Sequence, residues 1–172
     1  MCYSIYLSTE SPTDFQSLRL TRARFEPVST VPFPILQYPR QWYLTREFGG
    51  CSCHFRCLMS EDPEFGAPEG SDSITSSVIS LKINGAEAEM PPLGSCEDRL
   101  NEDEDDVAAT CQVFELFRSL VASGYGLDLL CVWEQESTKL DQIRRFVVSI
   151  NQVNESTFRF FENSYFAFRI AV

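Results

Sequence analysis

Within Gly50-Cys-Ser-Cys-His-Phe-Arg-Cys57 the chain gathers three cysteines, its single histidine and an arginine, and a second arginine, Arg46, stands just before them. Three chemistries fit such a loop. Cys51, Cys53, His54 and Cys57 offer soft sulfurs and an imidazole, the ligand set that zinc takes. The spacing counts against it, because structural zinc sites draw ligand pairs from two segments and four ligands in one short loop would strain it. There is no Cys-x-x-Cys pair, so a distant ligand would have to come from Cys96 or Cys111. The expectation is therefore no cofactor, with zinc as the alternative.

The second chemistry is a reactive thiol. A thiolate at a glycine bend with Arg46, His54 and Arg56 close by has its pKa lowered by positive charge, which makes Cys51, Cys53, His54 and Arg56 the candidate catalytic set. Any Cys-His mechanism must use His54, yet Cys53 adjoins it and Cys57 lies three residues on, so direct base geometry is awkward for both. In an extended segment Cys51 and Cys53 point the same way; in a helical one Cys53 and Cys57 share a face. The third reading is packing. Cysteine is among the most buried residue types, and a run of small residues lets a loop pass close to a sheet with His54 as a satisfied polar group.

The elements that must hold this loop are readable from periodicity. Residues 2–8 read as a buried strand, and Ser11-Pro12-Thr13-Asp14 as the start of a short helix over about 12–19, with Ser11 as N-cap. Residues 23–28 suggest a weak edge strand that Pro27 ends, and Gln41 to Phe48 a strand that stops at Gly49-Gly50. Ser77 to Ile83 reads as a strand closed by the turn dipeptide Asn84-Gly85. A long helix is expected from about Glu102 to Ser123, capped by Asn101, with Val107, Cys111, Phe114, Phe117 and Val121 on one stripe widened by Val113 and Leu120. Arg118 falls on the flank of that stripe, either covering apolar surface with its stem or holding an anion.

Residues 127–133 and 145–150 read as strands, and Phe158 to Val172 as an aromatic hairpin paving one side of the core. The order suggests an α+β fold, a ferredoxin-like β-α-β-β-α-β sheet with helices on one face, extra C-terminal strands and an acidic insertion.

With 172 residues, 44% of them hydrophobic, one domain over 1–172 is expected, 61–106 being an acidic, partly flexible insertion. That insertion holds 14 of the 25 acidic residues against Lys82 and Arg99, a net −12, which leaves the remainder of the chain at +1. An acidic surface of this kind suits a basic protein partner. It opposes phosphate binding, so Arg144, Arg145, Arg159 and Arg169 among the C-terminal phenylalanines are not read as a nucleic-acid platform. The acidic run 102–106 lacks the alternating oxygens and glycine of a calcium loop.

No phosphate loop, dinucleotide fingerprint or nucleophile elbow occurs. No apolar run reaches membrane-spanning length and the first residues do not resemble a signal peptide, so a soluble, cytoplasmic protein with reduced thiols and no membrane partner is expected.

The motif Gly50-Cys-Ser-Cys-His-Phe-Arg56 resembles one found in small uncharacterised bacterial proteins. In these a strand similar to Ile5-Tyr-Leu-Ser-Thr9 precedes it and a segment similar to Phe160-Phe-Glu-Asn163 closes the chain. The resemblance covers both ends and the middle but not the acidic insertion, and implies no activity. Function is thus expected to centre on the Cys/His loop, as a protein of unknown function, a thiol redox or zinc protein, or an acidic interaction module.

Overall fold

Strands rich in aromatic and branched residues dominate the computed structural model, which describes residues 3–28, 33–46, 50–58, 80–83, 86–89, 103–133, 143–155 and 158–171. The strands are β1 (Tyr3–Thr9), β2 (Arg24–Pro27), β3 (Arg40–Thr45), β4 (Cys57–Leu58), β5 (Ser80–Ile83), β6 (Ala86–Glu89), β7 (Leu127–Trp133), β8 (Arg144–Ser149), β9 (Phe160–Phe161) and β10 (Ser164–Arg169). The helix α1 (Glu104–Ala122) precedes β7. A six-stranded sheet runs β2-β3-β1-β7-β10-β8, antiparallel except for the β10–β8 pair, so the fold is mixed α/β with one α-helix among the described residues. Most of the insertion 61–106, with the mobility and partner expected of it, lies outside the described residues. Its expected strand is β5, paired with β6.

The chain's alternation explains the two faces of the sheet. Ile5, Leu7, Leu44, Leu129, Cys131 and Phe166 point to one side, where Val113, Phe114 and Phe117 of α1 complete the main core. Tyr6, Leu130, Val132 and Tyr165 point to the other, where Ile35 and Leu36 pack on them.

Four expectations need correction. The helix expected over 12–19 is only a 3-10 turn, Phe15–Ser17, capped by Asp14 rather than Ser11. Side chains hold the preceding backbone in turns instead, Thr9 Oγ1 accepting from Ser11 N–H and Ser11 Oγ from Thr13 N–H, and the remaining stretch is too short to offset helix nucleation. The ferredoxin-like expectation of more than one helix is therefore not met among the described residues. The C-terminal hairpin is also absent, because β9 pairs with β4 and β10 lies between β7 and β8. Helix α1 is capped by Asp103, whose side chain accepts from Asp105 N–H, while Asn101 lies outside the described residues. Val113 and Leu120 are buried as expected, but the stripe is rotated toward Ala109 and Thr110, leaving Val107 and Cys111 half-buried.

Two side chains show how the margins are finished. Val28 N–H donates to Gln41 O at 3.1 Å, so Pro27 next to it faces the outer edge of β2 and removes a donor there. Arg118 stands over Phe114, 5.2 Å from the ring centre, and holds Glu155 at 2.9 Å and Val153 O at 3.1 Å, so its charge ties α1 to residues 153–155.

Candidate functional site

Loop 50–57 is built into the end of the sheet. Gly50, at φ +90, turns the chain after β3, a conformation that side-chained residues rarely adopt. The β1–β3 ladder ends at the pair Ile5–Leu44, and there the buried Ser52 hydroxyl takes its place. Ser52 Oγ accepts from Ile5 N–H at 2.9 Å and donates to Leu44 O at 2.5 Å, while Ser52 N–H donates to Tyr3 O at 3.3 Å. Phe55 then drops into the core, edge-on to Phe160, and its carbonyl accepts from the Tyr3 hydroxyl at 2.5 Å. Arg56 N–H donates to Thr110 Oγ1 at 2.9 Å and Arg56 O accepts from Phe160 N–H at 2.9 Å, which sets β4 beside β9. The loop is thus held by β1, β3, α1 and β9 together.

This anchoring separates the predicted site residues into two groups. His54, with a side chain 66% exposed, lies 3.8 Å from Asp106 Oδ1 through Nδ1. Arg46 lies 3.9 Å from the same oxygen and donates to His54 O at 3.2 Å and Asp105 O at 3.1 Å. His54 and Arg46 therefore serve the first turn of α1. Burial pushes the Asp106 carboxyl above the usual carboxylate range, with His54 and Arg46 pulling it back and Asp103 and Asp105 adding to the rise.

The second group is sulfur. Cys53 and Cys57 pack against the main core that holds Cys131, a fully buried residue of the central strand β7, and both lie within electrostatic reach of Cys131 and Tyr3. Burial above all, then the neighbouring Cys57, pushes the Cys131 thiol well above the ordinary cysteine range. Burial does the same to the Tyr3 hydroxyl, helped by Cys57 and Cys131. Cys51, Cys53 and Cys57 are each half-buried, and Arg56, nearly buried, acts electrostatically on Cys111, whose thiol donates to Glu155 O at 3.4 Å.

Of the zinc set Cys51, Cys53, His54 and Cys57, His54 is thus directed to a carboxylate; among the described residues no group of three or more His, Cys, Asp or Glu is placed to hold a metal ion. Cys96 lies outside the described residues. Cys131 and Tyr3 are the members that sequence reasoning missed. A cysteine among the leucines and valine of β7 was the available signal for Cys131, but its distance along the chain from the loop hid their shared packing.

A second polar centre, equally missed, sits on the other face of the sheet. The buried Asp128 carboxylate accepts from Ser8 Oγ, from Gln37 N–H at 2.9 Å and from the Tyr165 hydroxyl at 2.8 Å, and Tyr38 N–H donates to Ser8 Oγ at 3.1 Å. These bonds fasten residues 33–38 across the sheet beside a cleft of about 330 Å³ lined by Tyr38, Gly126, Tyr165 and Arg169. Every Asp128 oxygen already has a donor, so the carboxylate serves as a staple.

No family model, curated protein or solved structure matches the chain, and none of its helices among the described residues is long and apolar enough to cross a membrane.

Proposed function

We propose that this protein is a redox-responsive thiol protein whose working pair is Cys57 and Cys131. The observation that carries the reading is the packing of the half-buried Cys53 and Cys57 on the core that holds the fully buried Cys131, which gathers sulfurs from segments far apart in the chain into one cluster. In the reaction the two thiols release two protons and two electrons to an oxidant as the S–S bond forms.

The surroundings favour a switch over a turnover catalyst. A thiol held protonated by burial is a poor leaving group, so the disulfide is reopened slowly, and Cys131 offers no access to a second reductant. For the scaffold we read a ferredoxin-like sheet; the antiparallel order β2-β3-β1-β7 supports it, with the turn Phe15–Ser17 where the first helix would stand.

The test is to oxidise the reduced full-length chain with diamide, quench by alkylation and map the peptides. The expected product has lost two hydrogens and carries a Cys57–Cys131 cross-link. Both thiols recovered in alkylated form after prolonged oxidation would leave the loop as packing alone.

A further inference from the structure

We infer that the protein pairs with a second copy of itself through the outer edge of β2, the two strands running antiparallel about a two-fold axis at Phe25. β2 ends the six-stranded sheet, with β3 on one side and no strand on the other among the described residues. Val28 N–H donates to Gln41 O, and bonded positions alternate along an antiparallel ladder. Arg24 and Glu26 therefore turn their backbone groups to β3, while those of Phe25 and Pro27 face outward. The N–H and C=O of Phe25 are left without a backbone partner among the described residues. A cleft of about 450 Å³ opens on the same side, lined by Leu18, Arg19, Leu20 and residues 23–26 and by no residue of β3. An edge with an open donor and acceptor and space in front of it is built to take another strand.

Charge selects the occupant. Arg24 and Glu26 are both exposed and project from the same face of β2, and neither has an ion-pair partner among the described residues. With Phe25 of one copy opposite Phe25 of the other, each Arg24 falls directly across from Glu26 of the second chain, so both flanking pairs join opposite charges. A foreign strand would need base and acid in this same order; a second copy brings them.

Other registers fail. A two-fold axis at Ala23 sets Arg22 against Arg24, and one at Arg24 sets arginine against arginine. An axis at Glu26 opposes two glutamates and places Phe25 across from Pro27, which has no N–H to give. Centred on Phe25, the two chains exchange both N–H···O=C bonds at that residue, and Pro27 lies beyond the centre, where its missing donor ends the pairing. The sheet of one copy then continues into the sheet of the other.

The experiment is sedimentation velocity on the whole chain over a wide range of concentration, in reducing buffer so that no disulfide contributes. A dimer is expected in the wild type. Its dissociation constant should rise roughly tenfold or more in Arg24→Glu and in Glu26→Arg, since symmetry counts each like-charge pair twice, and return near the wild-type value in the double variant R24E/E26R. Amide exchange gives a readout that needs no variant: Phe25 N–H is expected to exchange slowly where the dimer is filled and fast where dilution has separated it. A monomer at every concentration, a dimer that both single variants leave unchanged, or a double variant as weak as the singles would overturn the inference. So would a Phe25 amide whose exchange does not follow the dimer.

Discussion

Ser52 shows how much one hydroxyl carries in this fold. It satisfies the N–H of Ile5 and the C=O of Leu44 at the point where two strands part, both in the buried core. Ser52→Ala leaves two buried backbone groups without that partner and is expected to destabilise the protein by about 2–4 kcal/mol in urea unfolding. A loss under about 1 kcal/mol would mean that Ile5 and Leu44 close on each other directly. Asp128 poses the opposite problem, a charge kept in place under penalty. Burial pushes its carboxyl above the usual carboxylate range against the pull of Ser8, Gln37 N–H and Tyr165, with Tyr38 alongside. Because the folded state holds this proton more tightly than the unfolded one, the stability it contributes is full at low pH and is lost as pH rises through the folded pKa. Asp128→Asn should therefore gain on the wild type as pH is raised from about 4 to about 7, and parallel curves across that range would contradict the shift. Asp105 and Glu155, held low by hydrogen bonds from Arg22 and Arg118, work with the opposite sign: their contribution is lost as pH falls through their folded pKa.

At the scale of elements, the strap over residues 33–38 depends on a glycine. A Cβ on Gly126 would come within 2.2 Å of the Tyr38 Cζ and hydroxyl oxygen, so the phenol end can lie over Gly126 only because that atom is missing. Gly126→Ala is expected to lose about 1–3 kcal/mol, with much of the loss absent when Tyr38→Ala is already present. Additive losses in the double-mutant cycle would place the strain elsewhere. The same scale shows what was legible in the sequence. Strands β1, β3, β7 and β8 and helix α1 followed from runs of aromatic and branched residues and from the 3.6-residue stripe, since each element carries its own pattern. Pairing is not local. Nothing around Phe158 to Arg169 announces that β9 turns away to meet β4, and nothing around Cys57 announces Cys131. The position of the candidate loop was legible; its division into a His54–Arg46–Asp106 corner and a Cys57–Cys131 pair was not, because Asp106 and Cys131 arrive from α1 and β7.

For the whole molecule, the proposed bond would tie the loop that follows β3 to the central strand across the entire stretch of chain from Cys57 to Cys131. Closing so long a segment restricts the unfolded chain, and a disulfide of this kind adds about 2–4 kcal/mol when the native geometry accepts it. The native packing places both sulfurs at one core cluster, with β4 fastened to β9 and β7 held between β1 and β10. In a chain of this length that stabilisation corresponds to a rise in Tm of roughly 5–15 °C, lost on adding a reductant under unfolding conditions. Peptide-mapped oxidised and reduced samples compared in the same thermal scan test this. An oxidised form that melts lower than the reduced one would show that the bond distorts the sheet, and the clustering of Cys57 with Cys131 would then be a feature of packing.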